Sequence, residues 1–329
     1  MNPRTLLRGV AWWGPDDRPL RADPADRGRL PGDTWERAGV PAGVRLEFVA
    51  RGATAVELDY TAYERSPADR LRPDPPVFAL LSDGALVTEA PARPGARTVR
   101  LPLPRPDGAY TVHLPEVLRP VLRDVRGAGA GPPGLAPAPP RPRWLVHGDS
   151  IVEGWSGTRP HRAWPAVAGR ALGAEDVNLG YAGAARGELA SAQQLAALDA
   201  DLVTLAFGTN CWSRTPMSAP LLYETARAFL AVVRRGHPDV PLLVVSPVLR
   251  PDAESTPNAL GATLAELRAA IERAALDAGG GVRLLRGGPL LGPGHLVDGV
   301  HPGDEGHARI AAAVVENLKG LVRLDNHIR

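Results

Sequence analysis

The chain has 329 residues, 38 Lys and Arg against 36 Asp and Glu, a net charge of +2 at pH 7, and 44% hydrophobic residues. This is a globular composition, long enough for one large domain or two smaller ones. Its small cationic excess is spread along the chain without a basic block, which excludes nucleic acid as an expected partner. The single cysteine, Cys211, rules out an intrachain disulfide. No apolar run approaches the roughly 20 residues of a membrane span, and the opening "MNPRTLLRGVAWWGPDDRP" lacks the apolar centre of a signal peptide, so the expected location is cytoplasmic.

Residues 1–126 read as β structure. The runs "VRLEFVA" (44–50), "AVELDY" (55–60), "PVFALLSDG" (76–84), "RTVRLPL" (98–104) and "AYTVHLP" (109–115) are short and bounded by Gly, Pro and Asp. Several alternate apolar with polar residues, as half-buried strands do. No long amphipathic helix interrupts them, so a β-sandwich or jelly-roll accessory domain is expected.

Residues 127–142 carry "GAGAGPPGLAPAPPRP" and read as a Pro/Gly-rich linker. Within it, Gly129-x-Gly131-x-x-Gly134 matches the dinucleotide-binding spacing. Pro132 and Pro133 cannot open a helix beneath a pyrophosphate, and no βαβ unit surrounds them, so this match is discarded.

From 143 to 329 the pattern changes. Strand-like runs at 143–148, 176–181, 201–207, 241–248 and 281–286 alternate with helical patterns in "RAWPAVAGRAL", "ELASAQQLAALDA", "LLYETARAFLAVVRR", "TLAELRAAIERAALDA" and "EGHARIAAAVVENLKGL". Alternation of this kind predicts a five-stranded parallel sheet with helices on both faces, whose ligands bind beyond the carboxyl ends of the strands.

The residues just after those strands are chemically informative. The first strand is followed by Gly148-Asp149-Ser150, the second by "NLGYAG" ending in Gly183, the third by "FGTN" ending in Asn210, and the last by "VDGVHPGDEG" with Asp298 and His301. A serine hydroxyl becomes a useful nucleophile when a base takes its proton, and His301 is the candidate base. Asp298, three residues earlier, can accept the other imidazole N–H. Asp149 reads as a cap or brace of the Ser150 turn. The order Ser, Asp, His and the lack of G-x-S-x-G around Ser150 argue against the α/β-hydrolase family.

"GDSI", the glycine of "NLGYAG", "GTN" and "DGVHP" resemble blocks I, II, III and V of the SGNH (GDSL-type) hydrolases, over roughly 143–320. Ile151 stands where the family's name has Leu. The β-rich N-terminal region looks like that of a two-domain esterase subgroup, some members of which deacetylate carbohydrates. The resemblance implies a three-layer, flavodoxin-like α/β domain and a nucleophile–base–acid set of Ser150, His301 and Asp298. It also implies an oxyanion hole made by the Ser150 N–H, the Gly183 N–H and the Asn210 side-chain amide.

The implied activity is a serine esterase that cleaves a short acyl group, acetyl foremost, from a carbohydrate or a small natural product. An acyltransferase using the same acyl-enzyme is the alternative. A non-catalytic carbohydrate-binding protein is disfavoured by the intact Ser150, Asp298 and His301. Trp155, Cys211 and Trp212, with Asp149, are candidates for the substrate pocket. His147 reads equally as a pocket residue or a buried structural one, His307 and Trp164 as helix residues packed inward, and His295 as a loop residue. With no H-E-x-x-H and no cysteine pair, no metal or other cofactor is expected. Oligomerisation stays open.

Overall fold

The computed structural model describes residues 1–66, 69, 75–129 and 134–321. The chain divides into two compact units: Met1–Pro24, Gly39–Pro140 and Arg159–His161 form one, and Ala25–Ala38, Arg141–Thr158 and the chain from Arg162 onward form the other.

The first unit is antiparallel β structure. One sheet runs in the order Leu7–Arg8, Arg45–Arg51, Gly108–His113, Val77–Ser82, Ala85–Pro91, and a second in the order Val121–Ala128, Ala55–Ala62, Gly95–Pro102. Strand Ala55–Ala62 alternates buried and part-exposed residues, the mark of one buried face. Leu46, Phe48, Phe78 and Leu80 from the first sheet share a core with Val56, Leu58, Tyr60 and Leu101 from the second. Tyr60 and Phe78 meet edge to face across it with ring centroids 4.9 Å apart. This is the expected sandwich arrangement.

The Pro/Gly-rich stretch does not read as linker throughout. Gly134–Pro137 forms a strand antiparallel to Arg45–Arg51, and Leu135 packs on the β core. Extended proline-rich backbone lies close to β geometry, and an edge position tolerates a missing N–H. Residues 130–133, including most of the discarded glycine pattern, lie outside the described residues. The N-terminal region also contains a short helix, Gly32–Ala38, which groups with the second unit. Seven residues are too few to show a helical period against the surrounding turns.

In the second unit five parallel strands run in the order Glu175–Gly180, Arg143–Gly148, Leu202–Ala206, Leu242–Val245, Val282–Leu285. That is the flavodoxin-like order, second-first-third-fourth-fifth. Helices Trp164–Leu172 and Asp304–Leu318 bury Trp164, Ile310 and Val314 against Trp144, Val146, Leu243 and Val245. On the opposite face His147 stacks on Phe229 of helix Ala219–Gly236 at 5.2 Å, and helices Leu189–Ala197 and Leu264–Asp277 flank that helix. Strands covered on both faces explain the continuous apolar runs in the sequence. Among the described residues no helix is long and apolar enough to cross a membrane.

Candidate active site

The strand order of the sheet reverses at its first strand, which lies between the second and third. Crevices form at such switch points. Gly148, the last residue of the first strand, pairs in register with Gly180 and with Ala206. A Cβ on Gly148 would lie 2.1 Å from the Ala206 carbonyl oxygen, so glycine alone lets the chain turn there beside its neighbour. Asp149 then caps a four-residue helix, Ser150–Glu153, by accepting the Ile151 N–H at 3.0 Å. This fixes Ser150 in the first turn, with 7% of its surface exposed.

The far end of the domain meets this serine. His301 Nε2 lies 2.8 Å from Ser150 Oγ, and His301 Nδ1 lies 2.7 Å from Asp298 Oδ2. A carboxylate only accepts, so Nδ1 carries the proton and Nε2 accepts from the serine hydroxyl. The other oxygen of Asp298 accepts the Val300 and His301 backbone N–H groups at 3.0 and 2.8 Å. Burial works against the Asp298 charge, but the His301 ring and these donors outweigh it and hold its carboxyl below the usual range.

Gly183 follows the second strand with φ of 72°, a left-handed conformation that glycine adopts without strain. Only Arg214 Nε, at 3.8 Å, approaches the point where its Cβ would sit. Among the described residues neither the Gly183 nor the Ser150 N–H donates to a protein acceptor. Asn210 opens the short helix Asn210–Ser213 after the third strand and is 6% exposed. Its Nδ2 donates to the Ala185 carbonyl at 3.1 Å, which uses one of two amide hydrogens and leaves the other.

The remaining candidates divide. Asp149 is 3% exposed, and burial pushes its carboxyl up to about 6 against the Ile151 N–H. The Trp155 ring lies 5.5 Å from the His301 ring. Trp212 instead packs against the 250–256 loop, with its indole N–H on the Thr256 carbonyl at 2.8 Å and Arg250 over its ring. Cys211 has no exposed surface, its thiol is pushed by burial to about 12, and its sulfur faces the Arg186 carbonyl, so it is interior rather than on a pocket wall.

His147, 1% exposed among Phe207, Phe229 and Tyr181, has its ring pushed by burial down to about 4 and stays neutral as a core residue. His307 accepts the Trp164 N–H and meets the Trp155 carbonyl at 3.1 Å, a structural clamp. His295 accepts the Gly292 N–H at 2.8 Å within its own loop. Among the described residues no group of three or more His, Cys, Asp or Glu is arranged to hold a metal ion. Three residues near this site escaped sequence reasoning: Arg214, one helical turn past Asn210, and the buried pair of Arg37 and Glu153.

Residues 146–309 match the GDSL-like Lipase/Acylhydrolase family. Among solved structures, the chain is 25% identical to the salicylyl-acyltransferase SsfX3 from a tetracycline biosynthetic pathway, with 97% of this chain and 95% of that one covered at a TM-score of 0.83. A protein described as a GDSL-like lipase from Bacteroides ovatus is 20% identical, with 96% and 95% covered and a TM-score of 0.78. A family two carbohydrate esterase from Clostridium thermocellum is 17% identical, with 84% and 91% covered and a TM-score of 0.63. No curated protein sequence matches the chain. The order of the parallel sheet, the four motifs at its strand ends and the match over 146–309 agree: the chain carries a GDSL-like lipase/acylhydrolase domain and is an SGNH hydrolase.

Proposed function

We propose that the protein is a serine esterase that removes a short acyl group from a carbohydrate or small natural product through an acyl-enzyme on Ser150. The reading rests on the continuous relay from Asp298 through His301 to Ser150, at 2.7 and 2.8 Å. Ser150 Oγ attacks the ester carbonyl carbon while its proton passes to His301 Nε2, and Asp298 balances the charge that appears on the ring. The carbonyl oxygen becomes an oxyanion held by the Ser150 and Gly183 N–H groups and the free hydrogen of Asn210 Nδ2. Collapse of this intermediate breaks the C–O bond to the alcohol, which leaves with the proton from His301. Water then repeats the sequence on the acyl-serine and releases the acid. Residues 143–329 act as the catalytic domain and the β-rich N-terminal residues as an accessory domain, with 25–38 as the exception.

A second reading replaces water with an alcohol or amine acceptor. It is favoured by the likeness to an acyltransferase, which extends over 97% of this chain. Both readings require the same acyl-enzyme. A fluorophosphonate probe tests it: labelling is expected on Ser150 of the wild type and lost in Ser150→Ala, and labelling elsewhere would remove the assignment. Acetate and acylated acceptor are then measured side by side with an acetyl ester and added glycerol or sugar. Acetate in excess at all acceptor concentrations supports the esterase, and dominant acceptor acylation supports the transferase.

A further inference from the structure

Glu153 closes the four-residue helix that starts at Ser150, and its side chain is fully buried. A buried carboxylate costs several kcal/mol unless it is paired and its oxygens are satisfied. Arg37, Trp155 and Ala182 each donate to it. Arg37 reaches both oxygens, with Nε 3.2 Å from Oε2 and Nη2 on Oε1. The Trp155 indole N–H donates to Oε1 at 3.0 Å, and the Ala182 N–H donates to Oε2 at 3.1 Å.

Two of these partners stand beside the proposed machinery. Trp155 lies against the His301 ring, and its carbonyl is held by His307. Ala182 immediately precedes Gly183. The helix bearing Ser150, the indole behind His301 and the turn bearing the Gly183 N–H therefore meet on one carboxylate. A neutral amide could not replace it. Glutamine has one acceptor oxygen and one NH2, so either Trp155 or Ala182 would face a donor.

From this geometry we infer that Glu153, neutralised by Arg37, is a positioning residue that sets the His301 ring and the Gly183 oxyanion donor relative to Ser150. The inference rests on the proposed roles of Ser150 and His301. Small errors in such placement are costly, since a misplacement of about 1 Å can lower a rate on the order of 100-fold.

The test compares Glu153→Gln and Trp155→Phe with wild type, using p-nitrophenyl acetate and a count of active sites by fluorophosphonate labelling. Glu153→Gln is expected to lower kcat per labelled site by roughly 10- to 100-fold with KM within about twofold. Trp155→Phe keeps an aromatic ring beside His301 and removes only the indole donor, and it is expected to lower kcat about three- to tenfold in the same way. If Glu153→Gln does not fold, Trp155→Phe decides alone. Wild-type kcat per labelled site in the folded variants, with only a lower Tm, would make the pair purely structural and overturn the inference. Ser150→Ala is run alongside: retained hydrolysis there would instead overturn the active-site reading on which this one stands.

Discussion

Asn210 and Asp149 are both nearly buried, and each carries a prediction of its own kind. Asn210 is 6% exposed and is held by its bond to the Ala185 carbonyl, so its second amide hydrogen is already oriented before substrate arrives. Replacing it with Ala should lower kcat by roughly 10²–10³, about 3–4 kcal/mol, with KM little changed, because the donor matters most when the oxygen is charged. Loss of the Ala185 bond should also lower stability by about 1 kcal/mol. Measuring kcat and Tm on one Asn210→Ala preparation separates the effects, and a stability loss with normal kcat would take Asn210 out of the site. Asp149 makes a different prediction. Burial raises its carboxyl from 3.8 to about 6, so between these values the folded chain keeps a proton that the unfolded chain has released. Its contribution is fully present below about pH 4 and is lost as pH rises through 6, a difference on the order of 3 kcal/mol. Asp149→Asn keeps the acceptor for the Ile151 N–H and has no charge to bury. It should therefore be more stable than wild type at pH 8, with the gap closing towards pH 4. Urea unfolding at the two pH values checks this, and an equal gap at both would contradict it.

The helix bearing Ser150 packs directly on the second strand, and that contact depends on glycine. A Cβ on Gly180 would lie 2.4 Å from the Glu153 N and 2.9 Å from its Cα, both backbone atoms with little freedom to move. Gly180→Ala should displace the helix, lowering stability by roughly 1–3 kcal/mol and kcat at least tenfold. Gly173→Ala is the contrast: at φ of 64° with nothing within 4 Å of its Cβ, it should cost only about 1–2 kcal/mol of backbone strain and leave kcat unchanged. Purified variants assayed for Tm and kcat give the answer; normal turnover in Gly180→Ala would show that the helix position does not govern Ser150. At this scale much was legible beforehand. The five parallel strands announce themselves as apolar runs, and the candidate site residues were sought just after them because loops at strand ends carry chemistry. The edge strand Ala85–Pro91 was hidden, since it is exposed along most of its length and has no alternating pattern. Glu153 was hidden for another reason: its counter-charge Arg37 lies 116 residues away in sequence, and no local pattern joins them.

For the whole molecule, the units do not follow the sequence boundary that composition suggests. Residues 25–38 come from the β-rich region yet group with the α/β unit. Arg37 neutralises the buried Glu153, Asp33 pairs with Arg186 at 2.9 Å, and Gln194 donates to Asp26 at 3.3 Å. Composition could not reveal this, because a short segment between turns has no periodic face and its partners lie beyond the first unit's sequence. A chain starting at residue 141 would keep Ser150, His301 and Asp298 but lose this segment. It would leave the Glu153 carboxylate buried without its guanidinium, which typically costs about 3–5 kcal/mol. Against a total stability on the order of 5–15 kcal/mol, that loss alone is severe. The shortened chain should unfold at a much lower Tm and label poorly with fluorophosphonate, although its proposed reacting residues are all present. Arg37→Met in the full-length chain isolates the cause: it should reproduce a large part of the Tm loss while the β unit stays intact. If the shortened chain melts cooperatively at the wild-type Tm and labels fully on Ser150, residues 25–38 are dispensable, and the α/β unit is complete from 141 onward.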